Sequence, residues 1–524
     1  MMLKERRDLY LPEVIWFAVA CRVLTLLLQA LLNLLIPDHE ADAFTPPRLS
    51  EPNLCDWLLE WLLGGLSRWD AEHFLFIAEH GYLYEHNYAF FPLYPLSLRA
   101  MAEVVLWPLQ GVLRLRSRLL LSAVLLNATF SVLASAVLYE LGHVVLRCRK
   151  LAFLSATLFC LSPANVFMAA AYSESMFALL AFSAMWQLEG RQLWTSGLLF
   201  SLAASVRSNG VINAGFIVYS QTKHLAFQLQ AGAGCGVKLP QILGRFSSLA
   251  ASVVLTFAGV SLPFALFQFY AYLRFCEPDS DPEHTVPRPL LQLALEKGYR
   301  VAGMNGVKPL WCSWSFPIVY TYIQDTYWNV GFLRYFEPKQ IPNFLLAAPV
   351  IVLGLWSAWL YTTTNPQLCL TLGFVRRRAE GRKGENSDKP EVGFCCSSVF
   401  VYIVHAMALL VFGTLCMHVQ VLTRFLGSST PILYWFSAHL LHNYEPLLLW
   451  DEDPSVQNVA PLSGKPKPSI SFPGSIRGQV SKNPIVGLLL NWRMCTPLTR
   501  CILGYFLSYW LLGLILHCNF LPWT

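Results

Sequence analysis

Leu119–Tyr139 reads LLLSAVLLNATFSVLASAVLY, a stretch without a single Asp, Glu, Lys or Arg. A helix needs about 20 predominantly apolar residues to cross a lipid core of about 30 Å. Charge is equally absent over Leu151–Ser173, Phe246–Leu273, Ile341–Val375, Phe394–Thr423 and Cys501–Thr524, and Val14–Ile36 is broken only by Arg22. Ala89–Val112, Ser175–Leu188, Leu193–Tyr219 and Phe425–Leu441 are weaker candidates, shorter or interrupted by Gly and Pro. The total is roughly eight to eleven spans by the length rule. The fold class is therefore an all-α polytopic membrane protein, read as a single integral-membrane domain over residues 1–524.

Composition agrees. Of 524 residues 55% are hydrophobic and only 13% charged, with a mean hydropathy of +0.45. A soluble protein carries roughly 25% charged residues. The net charge of +6 is small for this length and excludes nucleic acid as an expected partner. Val14–Ile36 is too long, and lacks the small-residue site, for a cleaved signal peptide, so it reads as a signal anchor. The 14 cysteines lie mostly within apolar spans, without C-x-x-C or zinc-like spacing. Cys276 and Cys312 flank one long polar loop and could pair if that loop is lumenal.

Orientation follows from the basic loops. Lys4, Arg6 and Arg7 place the N-terminus in the cytosol, and the acid-rich first loop, residues 37–88, then faces the lumen. Arg114, Arg116 and Arg118 are expected at a cytosolic turn, as are Lys223, Lys238 and Arg245, and the cluster Arg376–Arg378 with Arg382 and Lys383. These assignments make 274–342 a second lumenal loop and 376–393 and 443–497 cytosolic. Between Leu119 and Tyr219 the parity conflicts, because Arg147, Arg149 and Lys150 also demand the cytosol. Ala379–Glu391 and Asp451–Pro484 read as loosely ordered. The sequon at Asn127 lies inside an apolar span, where glycosylation is not expected.

Chemistry concentrates in Ser67-Arg68-Trp69-Asp70-Ala71-Glu72-His73-Phe74. Ionisable groups at a membrane surface are costly and point to function; two nearby carboxylates suit acid/base work on a sugar or phosphate. Ordinary interfacial anchoring is the plainer alternative. The Tyr82 segment and Phe90-Phe91-Pro92-Leu93-Tyr94-Pro95 extend an aromatic rim suited to a sugar ring. Glu174, after Tyr172-Ser173, and the interruption Arg207-Ser208-Asn209-Gly210 place charge between apolar stretches. There Glu174 and Arg207 either pair structurally or serve an anionic ligand. Asp325 with Trp328 in the second loop, and Arg424 at a membrane boundary, complete the candidates. His405 reads as a packed histidine.

These motifs in order, together with Ser162–Asn165, Gln324–Phe332, Arg424–Trp435 and the C-terminal Cys518–Trp523, resemble the eukaryotic GPI mannosyltransferase 2 family over nearly the whole chain. The resemblance implies a GT-C-type glycosyltransferase in the endoplasmic reticulum membrane. It further implies dolichyl-phosphate mannose as donor and a second, α-1,6-linked mannose on the Man–GlcN–phosphatidylinositol acceptor. Its first-loop carboxylates map onto Asp70 and Glu72, with the choice between them open. Inverting transfer is expected, with Asp70 as general base, Glu72 or His73 orienting the acceptor, and Arg207 or Arg424 meeting the leaving phosphate. Trp69, Tyr82, Glu174, Asn209, Asp325 and Trp328 would line the substrate site. No metal or cofactor is expected; the partners are the two lipid substrates, with room for a small membrane subunit. The competing readings are an O-acyltransferase using His405 or His418, a lipid or polyol transporter built on Glu174 and Arg207, and a non-catalytic scaffold of a glycosylation complex.

Overall fold

The structure, a computed structural model, describes residues 8–232, 239–277, 286–303, 308–375, 392–449 and 483–521. Helices α1 (Tyr10–Leu35), α2 (Leu54–Leu63), α3 (Asp70–His80) and α4 (Leu93–Ala100) lead into α5 (Leu115–Leu146). Next come α6 (Arg149–Cys160), α7 (Glu174–Glu189), α8 (Leu193–Val206), α9 (Ala214–Gly232) and α10 (Leu239–Cys276). The last group is α11 (Ile341–Thr364), α12 (Phe400–Cys416), α13 (Leu422–Ser429), α14 (Ile432–Tyr444) and α15 (Pro497–Cys518). Six of these, α1, α5, α10, α11, α12 and α15, are long and apolar enough to cross a membrane. Among the described residues no strand forms, only an isolated bridge between Tyr84 and Val301.

Polar contacts mark two ends of the bundle. At the end that holds Asp8, Tyr139 Oη donates to Asp8 Oδ2 (2.7 Å), Ser398 Oγ to the Val145 carbonyl (2.7 Å), Lys150 Nζ to the Leu448 carbonyl (2.6 Å), and Tyr402 Oη to Glu189 Oε1 (2.9 Å). At the opposite end, the His39 amide meets the Asn519 carbonyl (3.0 Å) and the Leu333 amide meets the Leu415 carbonyl (2.7 Å). Between these ends the described chain runs eleven times: α1, α5, α6 with residues 161–173, α7, α8, α9, α10, α11, α12, α13 with α14, and α15. The odd number carries Asp8 to one end and Phe520, packed on Trp69, to the other.

Three expectations need correcting. Arg114, Arg116 and Arg118 lie at the Asp70 end rather than at the opposite face. There Arg116 pairs with Glu72, the Arg114 amide donates to Asp56 Oδ1 (2.8 Å), and Arg118 Nη1 donates to the Ala102 carbonyl (2.9 Å). A cation engaged locally no longer reports orientation as a free one does. Ala89–Val112 consequently makes no crossing: α4 and the short turns after it stay at that end. Leu193–Tyr219 is not one span but the turn between two, α8 and α9. With both changes, Arg147, Arg149 and Lys150 fall at the end of Asp8, and the parity conflict disappears. Arg376–Arg378, Arg382, Lys383, Lys238, the Ala379–Glu391 stretch and most of Asp451–Pro484 lie outside the described residues.

Between the two extramembrane regions at the Asp70 end, Glu85 adds a side-chain tie to the Tyr84–Val301 bridge. Its buried carboxylate accepts from Trp311 Nε1 (2.8 Å) and Tyr327 Oη (2.9 Å), and the Arg300 guanidinium stands 3.7 Å away. Beside Trp311, Cys276 and Cys312, whose pairing the sequence left open, form a disulfide. Tyr88, Phe91, Phe267 and Phe275 pack the apolar cluster around it.

Candidate active site

The chain reaches the site through Gly64–Ser67, a single tight turn. A Cβ on Gly65 would stand 2.9 Å from Cys518 Cβ, so glycine lets the end of α15 close over this turn. Trp69 then takes φ 58° and ψ −130°, a backbone region that side-chain-bearing residues seldom adopt and that recurs at functional sites. This bend starts α3 at Asp70, where the positive end of the helix dipole favours a carboxylate. Gly81, with φ 78°, ends the helix.

Asp70 joins a chain of four alternating charges. Its Oδ2 accepts from Arg424 Nη2 at 2.8 Å; the other guanidinium nitrogen of Arg424 is 3.7 Å from Glu174 Oε1; and Glu174 pairs closely with Arg207. The four sum to zero formal charge. Burial rises inward: the Asp70 side chain is 34% exposed, Arg424 11% and Glu174 fully enclosed. A buried charge of either sign is tolerable only with such partners. The Phe167 and Tyr172 rings lie 5.1 and 5.2 Å from the Arg424 guanidinium carbon, a cation–π seat that fixes the plane of the cation. Tyr172 Oη also accepts from the Asp70 amide (3.2 Å), and His517 of α15 packs edge-on against both rings.

Tyr172 and Glu174 arrive on an irregular segment, residues 161–173, that is buried throughout. Non-helical backbone at membrane depth has to find partners in protein, and here it does. Arg22 of α1 donates to the Asn165 side chain and to the Cys160 carbonyl (3.4 Å). Asn127 of α5 donates to the Ala170 carbonyl and to the Tyr172 carbonyl (2.9 Å), while the Ala171 amide meets the Leu66 carbonyl (3.0 Å). The sequon asparagine is thus a fully buried staple. Arg207 is positioned by a second interruption, Ser208–Asn213, folded tightly back on α8: a Cβ on Gly210 would stand 2.5 Å from the Ala204 backbone nitrogen. Asn209 Nδ2 donates to Ser429 Oγ (3.0 Å) of α13, and Ser208 Oγ donates to Tyr320 Oη (2.8 Å).

The other expected site residues divide. On a helix, positions i and i+2 point about 200° apart, so Glu72 leaves Asp70 and pairs with Arg116 in a buried pocket. Burial raises the Glu72 carboxyl above its ordinary range, against the pull of Arg116. The two first-loop carboxylates thus have different partners, Arg424 for Asp70 and Arg116 for Glu72. His73 is stacked between Phe44 (4.3 Å) and Phe90 (4.6 Å), and burial lowers its imidazole to about 3, so it is a neutral packing element. Trp328 meets Phe90 edge-on at the far side of that stack. Tyr82 Oη donates to the Phe90 carbonyl (2.7 Å) and its ring packs on Phe267. Asp325 stays at the exposed surface, paired with Arg334. Residues not selected from the sequence are Phe167, Tyr172 and His517. Tyr172 adjoins Glu174 in sequence; Phe167 and His517 carried no local signal. Among the described residues no three His, Cys, Asp or Glu side chains group as a metal site requires.

Chemically, this is one reachable carboxylate against a fixed guanidinium, backed by a second cation that a buried carboxylate holds in place. Such an arrangement can take a proton at Asp70 and meet an anionic oxygen at Arg424.

Sequence comparison identifies the family of the chain. The mannosyltransferase (PIG-V) family profile matches residues 11–524. The GPI alpha-1,6-mannosyltransferase 2 of Cricetulus griseus is 59% identical over 512 residues, 98% of each chain, and that of Homo sapiens is 56% identical over the same share. The GPI mannosyltransferase 2 of Drosophila melanogaster is 32% identical over 80% of this chain and 89% of its own. With the match running from the first helix to the last residue, the chain belongs to the PIG-V mannosyltransferase family.

Proposed function

We propose that this protein transfers the second mannose of the GPI precursor in the endoplasmic reticulum membrane. The donor is dolichyl-phosphate mannose, the acceptor oxygen is the 6-hydroxyl of the mannose on Man–GlcN–phosphatidylinositol, and Asp70 faces the lumen. The observation that carries this reading is the contact between the accessible Asp70 carboxylate and Arg424, itself held by Glu174. The names of the relatives supply the sugar, the linkage and the GPI context.

A β-linked donor and an α-linked product call for one displacement at the anomeric carbon. In this scheme Asp70 takes the proton from the acceptor hydroxyl as the new C–O bond forms. The anomeric carbon–phosphate bond breaks, and the phosphate gains one negative charge as it leaves. Protonation of Asp70 removes one negative charge from the cluster at the same moment. Arg424 is thereby released from Asp70 and is left free to pair with the phosphate, so proton transfer and leaving-group stabilisation are coupled through one guanidinium. Arg207, already matched by Glu174, fixes the carboxylate that orients Arg424. The scheme needs no metal.

Lipid profiling of cells lacking the protein tests it. Loss should accumulate the one-mannose GPI precursor, wild type should clear it, and an equally expressed Asp70→Ala variant should not. Clearance by Asp70→Ala would remove Asp70 from the chemistry; accumulation of a different precursor would reassign the step.

A further inference from the structure

At the end of the bundle opposite Asp70, a cavity of about 1040 Å³ opens between α9 and α10, beside the turn joining α7 and α8. Three cations line it: Arg191 from that turn, Lys223 from α9 and Arg245 from α10. No lining side chain is acidic. The wider sequence offers no remedy, since residues 190–276 contain no Asp or Glu at all. Glu189, two residues before Arg191, is engaged by Tyr402 Oη and also acts on Lys223.

Lys223 also lies over the Tyr219 and Phe227 rings, at 5.5 and 5.9 Å. Gln221 points into the cavity wall with both its amide nitrogen and its amide oxygen buried and unpartnered. On the facing helix Ser248 and Ser252 continue the hydrophilic stripe one and two turns beyond Arg245. Ser220, His224, Gln228 and Gln241 add further polar groups, and leucines with Phe227 supply the apolar part of the wall. Meanwhile α10 is the least covered of the six long helices, with 6% of its apolar window buried inside the protein, so the cavity is flanked by a lipid-facing helix.

We propose that this cavity binds the phosphate of an anionic glycerophospholipid from the leaflet opposite the Asp70 site. Three cations lining one pocket between membrane helices match a headgroup phosphate, and guanidinium groups match phosphate oxygens in particular. Gln221, Ser248 and Ser252 supply hydrogen bonds to the polar part of the headgroup, and the apolar wall of α10 accommodates the chains. The site is independent of the reaction proposed above. Its failure and the failure of that reading would be seen in different assays.

The test uses the full chain, purified in mild detergent, and native mass spectrometry of retained lipid. Wild type should carry a phosphatidylinositol or phosphatidylserine adduct, and Arg191→Gln/Lys223→Gln/Arg245→Gln should not. In phosphatidylcholine nanodiscs doped with fluorescent phosphatidylinositol, the triple variant should bind on the order of a hundredfold more weakly, each lost cation costing several-fold. Arg48→Gln, a single exposed change at the other end, should bind as wild type. Equal binding by the triple variant and wild type would overturn the proposal. So would displacement by soluble inositol phosphate without any vesicle-lipid binding, which would mark a site for a free phosphate compound. Retention of an acidic membrane peptide in place of lipid would overturn it as well. Because all three positions line a cavity rather than the core, loss of folding is checked by a detergent melting curve; a triple variant that melts as wild type yet binds normally is decisive against the site.

Discussion

Substituting the two first-loop carboxylates separately divides chemistry from architecture. In Asp70→Asn the shape is kept and the general base is removed, which should lower mannose transfer by about 10²–10⁴-fold. The structural cost is small: the Asp70 side chain is a third exposed and Arg424 keeps Glu174 at 3.7 Å, so about 1 kcal/mol or less is lost. Glu72→Gln should do the reverse. Its side chain is 11% exposed and that of Arg116 13%, so the change leaves a buried guanidinium without its anion, a loss of about 3–5 kcal/mol. The protein that still folds should transfer mannose normally. The assay is transfer from dolichyl-phosphate mannose in microsomes of cells lacking the protein, normalised to monodisperse protein after detergent extraction, with melting curves in parallel. The reasoning is refuted if Asp70→Asn retains full specific activity. It is equally refuted if Glu72→Gln melts as wild type while losing transfer.

Three further outcomes are expected. Glu174→Gln leaves Arg207 and Arg424 facing each other without their shared anion, which should cost about 3–5 kcal/mol and show as a large fall in extractable folded protein. Gly210→Ala drives a methyl group into the α8 backbone, at a cost of about 1–3 kcal/mol, and should lower the melting temperature and impair transfer together, because the segment that carries Arg207 has to move. Stability should fall as the medium is acidified from pH 6.5 toward 3. Burial holds the folded His73 imidazole at about 3 and lowers neighbouring His86 as well, so the unfolded chain binds more protons in that window and each histidine adds up to about 1.4 kcal/mol per pH unit. His73→Phe, which keeps the stack between Phe44 and Phe90, should flatten the melting-temperature profile below pH 6; an unchanged slope would contradict the burial argument.

The long passes were legible because an uninterrupted apolar run has few alternatives to crossing lipid. The broken passes were not. Leu193–Tyr219 looks like one poor span in hydropathy, yet Gly210 makes it a reversal, and only the approach of Ala204 to that glycine reveals it. Asp70, Glu174, Arg207 and Arg424 stood out because charge in an apolar context is expensive, and the structure brings all four together. The same signal picks out Glu72, which pairs with Arg116, since it registers cost without saying whether a partner within the fold offsets it. Asp325 was selected for its aromatic neighbours and is simply a surface ion pair. His517 was invisible because its significance lies in a contact with Phe167 across 350 positions of sequence.

Arg22 has a consequence for biogenesis. It sits in the middle of the first apolar helix, and its described partners are oxygens near residues 160–165 rather than a carboxylate. An arginine at the centre of an isolated membrane helix costs about 2.5–3.5 kcal/mol on insertion. Its acceptor, Asn165, lies 143 residues downstream. At about 5–20 residues per second the ribosome needs roughly 7–30 s to deliver it. Until then the first helix is a poor guest for lipid and a good one for a polar insertion channel, so the order of synthesis itself argues for holding that helix back until the sixth arrives.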